Sequence, residues 1–287
     1  MNYALDAIWW RLRHPAARDL AAILTAPPLW HSGCELPVSQ LLGEHGFRFL
    51  LALDSAPTPL QHWLEQEAPF GHRLGHYAES LLAFWLTHAP HCRLIARNHP
   101  IRDENGRTLG AADFLCLIGQ QPHHLELTCK YYGGRSPSDL RGLNPTDTLP
   151  RKAAKLEQQS RLLLSPAAQA QLPDSFQGYL KSPHALLHTA TLVRGIGFTP
   201  SGTLNDAPLN PLGWSGLLLA DWADYLAQPQ QRFHPLPRLA YLAPARIPIE
   251  HTLSATELAH QPPGLAAVVE PRPDGLWHET QRLMRLP

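Results

Sequence analysis

The sequence predicts an α/β fold: a mixed β-sheet flanked by helices, with an N-terminal helical lead before it and a C-terminal α+β extension after it. Three observations predict it. Leu74 to Trp85 repeats apolar residues at helical spacing, Thr108 to Tyr132 reads as two strands about a polar turn, and Asp147 to Leu164 reads as an amphipathic helix. With a further strand at His91 to Asn98, the order is helix, strand, strand, strand, helix. A single domain of 287 residues is expected, with 1–70 as the lead, 71–165 as the core and 166–287 as the extension.

Composition narrows the classes. A hydrophobic share of 44% is enough for a core, and a formal net charge of zero gives no global pull toward nucleic acid or membrane, so any basic surface must be local. Cys34, Cys92, Cys116 and Cys129 lack CxxC spacing, which argues against a zinc site or a disulfide framework. The N-terminus lacks a basic stretch followed by an apolar one, and no run approaches the roughly 20 apolar residues of a membrane span. A cytoplasmic protein without membrane contact is therefore expected. The 29 prolines are spread along the chain and should shorten elements and fix loops, while the 17 histidines are read as surface or hydrogen-bonded residues and are assigned no metal.

In the lead, apolar residues at Ile8, Trp9, Leu12, Leu20 and Ile23 recur at helical spacing over Leu5 to Leu24, with a break near Pro15. Pro27, Pro28 and Gly33 mark a loop, and a second helix is expected from Gln61 to Glu67 before Pro69 and Gly71. The clearest helix follows, with Leu74, Tyr77, Ala78, Leu81, Leu82 and Trp85 on one stripe. Glu79 lies at the edge of that stripe, in line with His72 and His76. It is either a carboxylate presented to whatever the helix packs on or a solvated boundary residue.

After the strand at His91 to Asn98, Asp103 to Gly106 signals a turn. Thr108 to Ile118 is then apolar on both faces except at Asp113, and an unpartnered carboxylate in such a strand costs several kcal/mol. Beyond the turn at Gly119 to Pro122, strict alternation sets Leu125, Leu127, Cys129 and Tyr131 on one face and His124, Glu126, Thr128 and Lys130 on the other. A hairpin places Glu126 and Lys130 on the face where Asp113 projects. Two carboxylates on adjacent strands suit Mg²⁺, which binds through one or two carboxylates and retains water, and a nearby lysine can orient a nucleophilic water. A buried ion pair with no ligand is the alternative.

Gly133 to Asn144, rich in Gly, Ser, Pro and Arg, is expected to be a mobile loop within reach of a ligand. The helix at Asp147 to Leu164 should be capped by Thr146 or Asp147, with Pro150 in its first turn. Leu149, Ala153, Leu156, Leu163 and Leu164 form its apolar side, and Arg151, Lys152, Lys155 and Arg161 its cationic side. With Arg135 and Arg141 they form a net-positive patch suited to phosphates, or simply a solvated helix face. In the extension, strands are expected at Thr189 to Phe198 and Ala266 to Val269, turns at Gly195, Gly197 and Gly213, and a Trp-rich helical stretch at Trp214 to Leu226. Pro235 to Pro248 reads as loop or edge strand and Leu276 to Leu286 as a closing helix; no chemical motif occurs there.

An acid on a helix, an acid on a strand, an acid and a lysine on the next strand, and a basic, glutamine-bearing helix together resemble the PD-(D/E)XK nuclease core. More narrowly, the runs LGHYAE, NHPIRDENGRTLGAADFL, HLELTCKYYGG and GLNPTDTLPRKAAKLEQQ resemble a bacterial family of unknown function, DUF1853, grouped with those nucleases, and GIGFTP, GWSG and LPRLAYLAP extend the likeness through the C-terminal half. The resemblance implies that Asp113 and Glu126 bind a divalent metal, Mg²⁺ or Mn²⁺, that Lys130 assists the attacking water, that Glu79 is the acid of the first core helix, and that Gln158 or Gln159 is the glutamine of the following helix. Two positions depart from the signature. Ala112 stands where proline is expected, and Thr128 stands at the lysine position, so Lys130, about 6.6 Å further along the same face, must lean back to reach the metal.

Three readings follow. The first is a Mg²⁺-dependent phosphodiesterase acting on DNA or RNA. The second is a non-catalytic nucleic-acid-binding module using Arg135, Arg141, Lys152, Lys155, Gln158 and Gln159. The third is a protein-interaction scaffold whose acid–lysine cluster is a buried ion-pair network.

Overall fold

The structure, a computed structural model, describes residues 11–181 and 186–287, so the expectations for Leu5, Ile8 and Trp9 fall outside the described residues. The lead contains helices α1 (Pro15–Thr25), α2 (Val38–Leu42), α3 (Gly46–Ser55) and α4 (Thr58–Glu67), followed by the stripe helix α5 (Leu74–His88). Neither α2 nor α3 is anticipated by the sequence signals. Neither has a side-chain N-cap, and both are held by burial of Leu41, Leu42, Leu50 and Leu53 rather than by local propensity.

The strands are β1 (Cys92–Arg102), β2 (Thr108–Ile118), β3 (Gln121–Gly133), β4 (His188–Thr199), β5 (Ser215–Leu219), β6 (Arg232–Pro235), β7 (Arg246–Ile247), β8 (Gly264–Pro271) and β9 (Trp277–Arg285). They form one nine-stranded mixed sheet in the order β1-β2-β3-β4-β5-β9-β8-β6, with β7 paired to β9. β1, β2 and β3 are antiparallel neighbours, whereas β3, β4, β5 and β9 run parallel. The β2–β3 turn is tighter than expected: Gly119 and Gln120, with φ of 55° and 72°, are the two left-handed residues that a short hairpin turn requires.

One face of the sheet is covered by the lead. Phe114, Cys116, Leu125, Leu127 and Tyr131 join Leu20, Ile23, Leu81, Phe84 and Trp85 in the largest core cluster. The opposite face is covered by α6 (Leu149–Ser160), α7 (Pro166–Gln169) and α8 (Asp174–Leu180). Leu149 and Leu156 of α6 pack on Tyr132 and Val193, and Ala168 and Phe176 pack on Ile101 and Leu115. The alternation read for β3 therefore holds: Leu125, Leu127 and Tyr131 meet the lead, and Glu126, Lys130 and Tyr132 face α6. Among the described residues no helix is long and apolar enough to cross a membrane.

The extension departs from several expectations. Leu276 to Leu286 is not a closing helix but strand β9, whose pairing with β8, β5 and β7 outweighs any local helical tendency. Trp214 to Leu226 is not a helical stretch but strand β5 and a single 3₁₀ turn at Trp222–Asp224 capped by Asp221. Gly195 and Gly197 lie inside β4 rather than in turns. Gly195, at φ 134°, is needed because a Cβ there would sit 1.7 Å from the carbonyl oxygen of Lys130. In the core segment, the loop Gly133 to Asn144 is crossed by a bridge from Gly133 to Arg141, Arg141 is bridged to Thr148, and the amides of Arg135 and Ser136 donate to Asp139. Helix α6 is shorter than Asp147 to Leu164, and Thr148 occupies its N-cap without a side-chain bond.

Candidate functional site

The ladder between β2 and β3 ends at the pair Phe114–Leu125, and the next step sets Asp113 opposite Glu126. From there side chains replace the backbone ladder. The Asp113 amide donates to Glu126 Oε1 at 3.2 Å, and the Leu127 amide donates to Asp113 Oδ2 at 3.0 Å. Each carboxylate thus takes a backbone N–H from the other strand, so the two acids expected to share a face are brought together by the parting of the hairpin.

His124 completes the arrangement from the same face of β3, its Nε2 lying 2.8 Å from Glu126 Oε1, with both side chains buried. With Nε2 engaged by Glu126, Nδ1 is the ring's remaining hydrogen-bonding position. Among the described residues, Glu126 Oε2 and His124 Nδ1 are buried and have no hydrogen-bond partner. A buried polar atom without a partner costs about 1–3 kcal/mol, so two at one place mark a site built for something other than stability.

Burial and the neighbouring charge of Glu126 push the Asp113 carboxyl up to about 7; the charge of Glu79 adds to the rise, while the Leu127 amide and Lys152 oppose it. Burial likewise raises the carboxyl of Glu79, half-buried on α5, against His76, Arg97 and Lys152. Glu79, Asp113 and Glu126 therefore share one electrostatic environment.

The cations divide differently from the expectation. Lys130 does not lean back to the carboxylates: its Nζ bonds Asp147 Oδ2 at 2.6 Å, and Tyr132 donates to the other oxygen of Asp147 at 2.8 Å. Asp147, expected as a helix cap, is the anchor that ties β3 to the loop before α6. Lys152 is not on a solvated cationic side but half-buried, with its ammonium pKa lowered by burial and by Lys130 and Lys155, and raised by Asp113 and Glu126. Its charge acts on Asp113 and Glu79, lowering the carboxyl pKa of each. Arg135, Arg141, Lys155 and Gln158 are exposed, whereas Gln159 is half-buried with a buried Oε1 that lacks a partner among the described residues. Leu164, assigned to the apolar side of the helix, is 67% exposed.

Sequence reasoning gave no role to His124 and grouped Lys152 with the exposed cations Arg151, Lys155 and Arg161, whereas Lys152 is half-buried. The signal for Lys152 was present: it lies three residues after Leu149 and four before Leu156, inside the buried stripe. Among the described residues no group of three or more His, Cys, Asp or Glu side chains is gathered for a metal ion. Two carboxylates, one with a buried free oxygen and both in contact with backbone amides, nevertheless fit a hard divalent cation that keeps several waters. The His124 bond to Glu126 is the kind of support that orients a ligating carboxylate.

No curated protein and no solved structure matches the chain. Residues 18–285 match the family described as a domain of unknown function, DUF1853. That span takes in most of the lead, the carboxylate hairpin, α6 and nearly all of the extension, and the chain belongs to this family.

Proposed function

We propose that the protein is a divalent-cation-dependent phosphodiesterase acting on DNA or RNA, built on a PD-(D/E)XK-like core. The observation that carries this reading is the meeting of Asp113 and Glu126 where the β2–β3 ladder ends, with one buried carboxylate oxygen left unbonded. Asp113 and Glu126 hold Mg²⁺ or Mn²⁺, which when bound lowers the pKa of water and neutralises charge at phosphorus. His124 fixes the rotamer of Glu126. Glu79 raises the negative potential that attracts the cation. Lys152 supplies positive charge beside the phosphate, and Lys130, bonded to Asp147, holds the end of the loop that leads into α6. Arg135, Arg141 and Lys155, all exposed, hold flanking phosphates.

The engagement of Lys130 by Asp147 favours a second reading, a module that binds nucleic acid without cleaving it. One experiment separates them. Mg²⁺ and Mn²⁺ are titrated calorimetrically into the wild type and into the Asp113→Asn, Glu126→Gln double variant, and both are assayed on labelled single- and double-stranded DNA and RNA. Cation binding and cleavage lost together in the variant support the phosphodiesterase. Salt-sensitive binding with no cation dependence supports the module, and no nucleic-acid binding under either cation overturns both.

A further inference from the structure

A cleft of about 440 Å³ opens between α6 and the loop around Ser32, beside the carboxylates. Its lining includes Thr191, the ladder partner of Glu126 on the neighbouring parallel strand. Paired residues on adjacent strands lie about 4.8 Å apart and send their side chains to the same face, so this part of the cleft is one strand away from the acid pair. Helix α6 serves both: the charge of Lys152 acts on the acids, while Ala153, Glu157 and Ser160 line the cleft.

The lining has two kinds of surface. Trp30, Leu156 and Pro208 are apolar, whereas Thr191 Oγ1 and Ser32 Oγ form a hydroxyl pair 2.7 Å apart, with the Cys34 amide donating to Ser32 Oγ at 3.3 Å. Hydroxyls carry one donor and two acceptor positions each, so this pair retains capacity for a ligand. Exposed His31 and Arg161 stand at the edge, where Arg161 Nη2 bonds Glu157 Oε1 at 2.9 Å. Clefts of roughly 300–1,000 Å³ that combine apolar walls with a few placed polar groups hold small ring compounds.

We propose that this cleft receives an unpaired nucleobase of the nucleic acid whose adjoining phosphate lies at Asp113 and Glu126. The inference rests on the phosphodiesterase reading and narrows its substrate to single strands, or to a nucleotide turned out of a duplex, because a stacked and paired base cannot enter. The apolar lining takes the ring faces, the Ser32–Thr191 hydroxyls meet the polar edge, and Arg161 and His31 face the backbone.

The test uses the full chain with Ca²⁺ in place of Mg²⁺. Single-stranded oligonucleotides carrying 5-iodouridine are photocrosslinked and the adducts mapped by mass spectrometry. Affinities for single strands and duplexes are measured by fluorescence anisotropy on the wild type, Ala154→Trp and Ser160→Tyr, each of which crowds the cleft from α6. The expected result is crosslinking within residues 30–34 and at least tenfold weaker single-strand binding in whichever crowded variant keeps the wild-type circular dichroism spectrum, with a loss of duplex binding only if a base is turned out of the duplex into the cleft. Adducts confined to other segments, or a folded variant with wild-type affinity, overturn the base site while leaving the phosphodiesterase reading intact. Loss of cation binding in the wild type is the separate result that removes that reading.

Discussion

Where β9 meets the lead, Arg282 and Glu279 are buried as Glu126 is, yet their surroundings are opposite to those of Glu126 and the half-buried Asp113. Arg282 grips Glu279 with two bonds of 2.8 and 2.6 Å and also donates to the carbonyls of Tyr241 and Ala243, while Glu279 accepts the Ala245 amide at 2.7 Å. Nearby, Asp19 accepts from the Tyr77 hydroxyl and the Ala243 amide, and Arg18 donates to the Pro244 carbonyl. The hairpin site has the reverse arrangement: like charges adjoin, and a carboxylate oxygen and a ring nitrogen are left without a protein partner among the described residues. A charge whose bonds are all met by protein fastens the fold. A carboxylate pair with capacity left over is arranged for a cation, and the fold bears its cost.

Breaking each cluster should expose the difference. Arg282→Met leaves the buried Glu279 carboxylate without its cation, which should cost about 3–5 kcal/mol in urea unfolding, and adding Glu279→Leu should recover most of that loss. Glu126→Gln should behave oppositely. The amide oxygen keeps the His124 and Asp113 bonds and the charge beside Asp113 disappears, so the metal-free melting temperature should hold or rise while stabilisation by Mg²⁺ is lost. Equal destabilisation by the two single variants would mean that both clusters are structural.

The contrast also explains what was legible in the sequence. Period-two alternation fixed the face of Glu126 and Lys130, and a lone acid in an apolar strand singled out Asp113, because both signals are local. Arg282 was hidden, since its stretch carries charges at a spacing that suits an amphipathic helix and only pairing with β8 and β5 makes it a strand. Lys152 was misread for a related reason. Lysine in a helix is normally solvated, and the acids that draw it inward lie 39 and 26 residues earlier in the chain, at Asp113 and Glu126. The Lys130–Asp147 anchor needed the path of the loop between β3 and α6, which composition alone does not encode.

The two lysines sharpen the comparison inside the site itself. Lys152→Met should lower cleavage by about 10²–10³-fold with little change in stability, the size of effect seen when a donor or charge beside the reacting group is removed. Lys130→Met should cost about 1 kcal/mol through the half-exposed Asp147 pair and change cleavage only a few-fold. Single-turnover rates and urea midpoints on both variants decide it, and the reverse ranking would return the catalytic role to Lys130.

The two clusters also differ in the pH dependence of stability, to which each contributes a raised aspartate carboxyl. Burial, opposed by the Tyr77 and Ala243 bonds, pushes Asp19 up to about 6, and Asp113 is pushed up to about 7. An unfolded aspartate titrates near 3.9, so between that value and the folded one the native state binds more protons, and stability falls as pH rises. The Asp19 contribution is lost over about pH 4 to 6 and that of Asp113 over about pH 4 to 7. His123, His234 and His278, lowered by burial, act in the opposite direction, losing stability as pH falls through their range, so wild-type and variant curves must be subtracted. In EDTA the wild-type minus Asp113→Asn difference should still slope downward between pH 6 and 7, where the Asp19→Asn difference is flat. Mg²⁺ competes with the Asp113 proton and should abolish that upper slope without touching the lower one. A Mg²⁺ effect on the Asp19 window instead would place the cation at the other cluster.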